Sequence, residues 1–171
     1  MDPQFENNLP DSSKVWIYQS SRKLSDHEAS QVEARVKNFV SQWNSHKVSI
    51  AGDGKLLHNY FVILMADESQ AGVSGCSIDS TVHFIKSLGQ EFNTNFFDRW
   101  NLAYIKDGEV VGVHRDDFDR LLNTGKINDD TIVFNNLLHS KGELKTKWQV
   151  PYRESWLKNL KVAHVPFNSV L

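Results

Sequence analysis

Three observations predict an α+β fold, with a β-α-β-β-α-β body followed by a smaller α+β unit. Ser25-Asp26-His27-Glu28 is a capping box ahead of Ala29, Val32, Val36, Phe39, Val40 and Trp43 at helical spacing. Tyr60 to Ala66 is an unbroken run of seven apolar residues with the β-branched and aromatic bias of a buried strand. Two strand-like stretches stand between the two helical patterns, so consecutive strands pair without a helix between them.

Taken in order, residues 1–13 are polar with two prolines and are expected to cross the surface. Lys14 to Ser20 alternates Val15 and Ile17 against Trp16 and Tyr18, a strand with apolar groups on both faces. The capped helix is expected to end near Ser45-His46, with His46 capping its C-terminus. Val48–Ile50 is extended and leads to Gly52-Asp53-Gly54, read as the hairpin turn before Leu56–Leu57 and the apolar strand. Ile78, Val82, Ile85, Leu88 and Phe92 recur at helical spacing, with Ser77 as N-cap, Asp79 in the first turn, and His83 packed beside the stripe. Leu102–Ile105 closes the body, 14–106, in the split βαβ order of ferredoxin-like folds.

From residue 107 to 171 the texture changes. Asp107-Gly108 makes a hairpin turn, Arg115–Asn123 a short helix closed by Gly125, and Thr131–Phe134 a short strand. Leu144 and Trp148 sit four apart on a last helix, and the tail from Pro151 is expected to pack as extended chain.

The length suits a sizeable core, and 40% hydrophobic with 23% charged residues is the composition of a globular protein. With 19 basic and 21 acidic residues and no run of like charge, the footprint of a nucleic-acid binder is missing. No apolar run spans a bilayer and no signal segment is visible, so a cytoplasmic protein without a membrane partner is expected. A single cysteine excludes an internal disulfide and any zinc site built on paired cysteines.

WIYQS at 16–20, ILMADE at 63–68, SGCSIDSTV at 74–82, FFDR at 96–99 and TIVFNN at 131–136 resemble a small uncharacterised bacterial family. Its members are sometimes labelled ABC-transporter ATPase. The resemblance covers nearly the whole chain and implies a bacterial protein, but no activity or catalytic residue. Residues 104–148 resemble the bacterial GYF-type module, in which a glycine-containing hairpin precedes a short helix, a Gly-x-Ile turn and an Asp-Thr-x-Val strand. The Gly-Tyr-Phe tripeptide is absent, so peptide binding is not implied. The ATPase label fails on chemistry. A phosphate-cradling loop needs Gly-x-x-x-x-Gly-Lys-Ser/Thr, whereas Gly54-Lys55 precedes Leu56 and Gly125-Lys126 precedes Ile127.

Two groups of candidate residues remain. Cys76, ahead of a helix, is a possible nucleophile or redox sensor with Asp67, Glu68, Ser77 and Asp79 around it; the alternative is that it packs between strand and helix. Asp67, Glu68, Asp79 and Asp98 match no defined metal motif, and loop amides or Arg99 and Arg22 would employ them structurally. No metal or other cofactor is therefore expected. Of five tryptophans, Trp100, Trp148 and Trp156 fall in the less regular half and are the candidate recognition residues. The expectation is a non-catalytic binding or adaptor protein with an unknown protein or peptide partner. A small thiol enzyme is the alternative.

Overall fold

The computed structural model describes residues 3–45, 48–69 and 75–163. The chain is mixed α+β, with four α-helices, α1 (Asp26–Ser41), α2 (Gly75–Glu91), α3 (Arg115–Asn123) and α4 (Lys141–Lys147), among the described residues. Its strands are β1 (Lys14–Gln19), β2 (Asn44–Ser45), β3 (Val48–Ser49), β4 (Ala51–Leu57), β5 (Phe61–Asp67), β6 (Asn101–Lys106), β7 (Glu109–His114), β8 (Ile132–Phe134) and β9 (Gln149–Pro151). They form an antiparallel sheet in the order β1-β5-β4, a second in the order β7-β6-β8-β9, and a short β2-β3 ladder.

β5 explains the layering. From Phe61 to Ala66 it is buried on both faces. Val62, Leu64 and Ala66 pack with Val32 and Val36 of α1 and Ile85 and Leu88 of α2. Phe61, Ile63 and Met65 point the other way, into Ala103 of β6, Phe134 of β8, Leu144 of α4 and Trp148. Sides alternate in β6 as well: Ala103 and Ile105 face β5, while Leu102 and Tyr104 face Phe118 of α3. The period-two pattern therefore builds four layers, α1/α2, first sheet, second sheet, and α3 with the C-terminal turns.

α1 starts where the capping box places it. Ser25 Oγ accepts from Glu28 N–H at 3.2 Å, and Glu28 accepts from Ser25 N–H at 2.8 Å. Arg22 pairs with the same carboxylate at 2.7 Å and, with the capping bond, holds its pKa down to about 2. The helix ends at Ser41, with Gln42 as C-cap, because Trp43 leaves the axis to enter the core against Trp16 and Phe39. His46 lies outside the described residues.

Gly52-Asp53-Gly54 is not a turn. All three residues lie inside β4, and the turn is His58-Asn59, both with positive φ. The glycines answer a packing demand instead. A Cβ on Gly54 would sit 2.6 Å from Val36 Cγ1 and 2.9 Å from Val40 Cγ2, and one on Gly52 would sit 2.9 Å from the Trp43 ring. α1 lies so close to β4 that only hydrogen fits.

Other expectations need correction. The four strands of the expected body do not share one sheet, because β6 pairs with β7 and β8 rather than beside β1. α2 begins at Gly75, so Ser77 is inside the helix rather than at its cap, and Asp79 falls beyond the first turn. Ile78 and Val82 are 41% and 40% exposed, and His83 is exposed, since only the later part of the stripe reaches the core. As far as Ala163 the tail is not extended chain: after β9 it forms two 3-10 segments, Tyr152–Glu154 and Trp156–Ala163, and the rest of the expected tail lies outside the described residues. The N-terminal segment does more than cross the surface. Phe5 is 2% exposed against Trp148, and the buried Lys141 ammonium donates to Asn7 O, Asn7 Oδ1 and Leu9 O at 2.6–3.1 Å. Three acceptors offset much of the cost of desolvating that ammonium, which still lowers its pKa.

Gly54→Ala is expected to destabilise the protein by about 1–3 kcal/mol through overpacking against Val36, Val40 and Leu64. Urea unfolding measures it; unchanged stability would mean α1 does not sit this close to β4.

Candidate functional site

The three candidate tryptophans do not converge on one place, and of the group around Cys76 only the carboxylates have described side chains. Asp67 ends β5 and accepts from Ser69 N–H at 2.9 Å, the main reason its pKa lies below the ordinary carboxylate value. Glu68 pairs with Lys14 at 2.9 Å, not with Arg22 or Arg99. Both carboxylates thus have structural partners at the strand end. Asp79 is exposed on α2. Cys76 and Ser77 fall in the first turn of that helix, and their side chains lie outside the described residues. Asp98 accepts from Trp100 N–H at 2.9 Å and lies 3.6 Å from His114 Nε2. Among the described residues no group of three or more His, Cys, Asp or Glu side chains is placed to hold a metal ion.

The tryptophans divide differently from expectation. Trp148 is 2% exposed and central to the core, with ring contacts to Phe5, Phe61 and Phe134 at 4.9–5.5 Å. It is not a surface binding residue, because the β5 face needs a large apolar partner there. Trp100 is 40% exposed and carries the Arg115 guanidinium 4.4 Å above its ring. Trp156 is half-buried: its ring packs on the core beside α3 and also lines a cleft.

That cleft, about 410 Å³, lies between the free side of β1 and the start of β6. β1 contributes Ile17, Tyr18 and Gln19 to its wall. Ser20 N–H bonds Tyr60 O, and antiparallel alternation then turns the even-numbered groups of β1 toward β5 and those of Val15, Ile17 and Gln19 outward. Val15 N–H is met by His139 O at 3.1 Å, and Ser21 N–H beyond the strand by Asn95 O at 2.9 Å. Between these two rungs, the backbone groups of Ile17 and Gln19 meet no partner among the described residues. On the opposite edge of the sheet, Glu33 of α1 accepts from Leu56 N–H of β4 at 2.7 Å and Asp53 Oδ1 accepts from Gly54 N–H at 2.8 Å.

A polar relay links the sides of the cleft. Gln19 is 5% exposed; its Nε2 donates to Leu102 O at 2.8 Å and its Oε1 accepts from Asn136 at 2.8 Å. Asn136 Oδ1 in turn accepts from the Trp148 indole at 3.3 Å. Apolar side chains stand at the mouth: Phe97 is 44% exposed, edge-on to Tyr18 at 5.9 Å, and Leu137 is 52% exposed. Asn101 Nδ2 and Trp156 Nε1, both on lining residues, are buried donors without an acceptor among the described residues. Sequence reasoning missed Ile17, Gln19, Phe97, Arg99 and Leu137. The one available signal was a glutamine continuing the inward-facing Val15 and Ile17 series. No family, curated protein or solved structure matches this chain.

Trp148→Ala is expected to cost about 3–5 kcal/mol. Trp100→Ala should cost no more than about 1 kcal/mol, the scale of an exposed cation–π contact. Urea unfolding of both variants checks the division, and a mild Trp148→Ala would return that residue to the surface.

Proposed function

We propose that this chain is a non-catalytic binding or adaptor protein of the bacterial cytoplasm that receives a segment of a partner protein in the cleft beside β1. The observation that carries this reading is the open stretch of β1 between the His139 and Asn95 rungs, flanked by exposed Phe97 and Leu137. Edge strands are commonly blunted or covered, as β4 is by Glu33, and an edge left open beside apolar side chains favours recognition. Asp67 and Glu68, two of the three carboxylates that a thiol enzyme at Cys76 would use, are engaged by Ser69 N–H and Lys14, which weighs against that alternative. The β1-β5-β4 order under α1 and α2 supports a ferredoxin-like relationship for the body with its fourth strand displaced. The β6–β7 hairpin, α3 and β8 support a GYF-like one for the second unit. Docking here uses the cleft between the units rather than the aromatic residues first singled out.

A photo-crosslinking benzoylphenylalanine at position 137 should capture a discrete protein partner in bacterial cells. The same group at exposed position 106, on the β6–β7 hairpin, should not. Equal or absent crosslinking from the two positions would contradict the reading.

A further inference from the structure

The open backbone has a definite size and chemistry. Two outward-facing residues, Ile17 and Gln19, lie between rungs already made by His139 and Asn95, so the gap accepts an extended segment of about three residues. His139–Ser140 already runs antiparallel beside β1 through the Lys14–Ser140 bridge, and a segment in the gap would continue that pairing. Charge adds a second constraint. Arg99 is exposed, lines the cleft and makes no ion pair among the described residues. The neighbouring Asp98 also lines the cleft, where its carboxylate accepts from Trp100 N–H and lies 3.6 Å from His114 Nε2 rather than pairing with Arg99.

We infer, on the basis of the docking reading above, that the occupant is an extended peptide segment of a partner protein. It adds to β1 at Ile17 and Gln19, lays apolar side chains against Phe97 and Leu137, and presents a carboxylate to Arg99. Main-chain hydrogen bonds supply sequence-independent affinity, and the side-chain contacts supply selectivity. The guanidinium offers a paired-donor fork that a carboxylate matches better than a neutral group does.

The test is selection of a random seven-residue peptide display library on the full chain, with the Arg99→Glu chain as a parallel target. The wild type should enrich alternating apolar sequences containing Asp or Glu, and Arg99→Glu should enrich Lys or Arg instead. Peptides selected on the wild type should bind Arg99→Glu at least about tenfold more weakly. In amide NMR spectra a bound peptide should shift Ile17 and Gln19 and slow their exchange. Peptides that Leu137→Asp abolishes, but that show no acidic preference or leave Ile17 and Gln19 unmoved, would overturn this inference and leave cleft docking standing. No enrichment on either target would overturn both. A dimer that the selected peptides dissociate would make a second copy of the chain the occupant, and would also overturn the inference.

Discussion

The burial of β5 on both faces is the constraint from which the rest follows. A strand reading Phe61-Val-Ile-Leu-Met-Ala66 has no polar face to offer water, so each side needs a cover. α1 and α2 cover one side. The other is covered by Phe134, Leu144 and Trp148, with Phe5 closing over Trp148 from the N-terminal segment. The Phe61, Phe134 and Trp148 rings meet at 4.9–5.1 Å, and the two edge-to-face pairs that Trp148 makes with Phe61 and Phe134 add about 0.5–1.5 kcal/mol each beyond area burial.

That requirement diverts β6. A strand added beside β1 would widen the first sheet and leave Phe61, Ile63 and Met65 uncovered. By pairing with β7 and β8 instead, β6 builds a second sheet whose Ala103 and Ile105 lie over them. Gly112 of β7 permits the close approach, since a Cβ there would stand 2.5 Å from the Tyr60 ring. A consequence is a flank of β1 where the backbone groups of Ile17 and Gln19 meet no partner among the described residues. Gln19 spans it from β1 to Leu102 and Asn136, a buried amide with both ends satisfied. Such a group ties the two sheets in one register without closing the gap.

Much of the local structure was legible in the sequence. Ser25 and Glu28 marked the start of α1, Asp107-Gly108 marked the β6–β7 turn, and the run from Tyr60 marked the central strand. Errors arose where tertiary packing overrode local propensity. Gly52 and Gly54 carry a turn signature, but they are glycine because Trp43, Val36 and Val40 press on β4. The actual turn, His58-Asn59, is fastened by Asn59 Nδ2 to Leu24 O and Asp26, contacts that sequence spacing does not reveal. The candidate site was the least legible part. Its defining feature is backbone that meets no partner among the described residues because a strand joined another sheet, and unpaired backbone leaves no residue-type signature. Cys76 and the carboxylates drew notice by chemistry, whereas Ile17, Gln19 and Leu137 look like ordinary strand and loop residues.

Amide hydrogen exchange along β1 tests the central claim most directly. Trp16 and Tyr18 N–H groups point into the β1–β5 ladder, and Val15 N–H is bonded to His139. All three should exchange slowly. Ile17 and Gln19 N–H groups face the cleft and should exchange faster by orders of magnitude. Alternating protection of this kind is the predicted result. Uniform slow exchange from Val15 to Gln19 would mean that the edge is already paired, and would contradict the account.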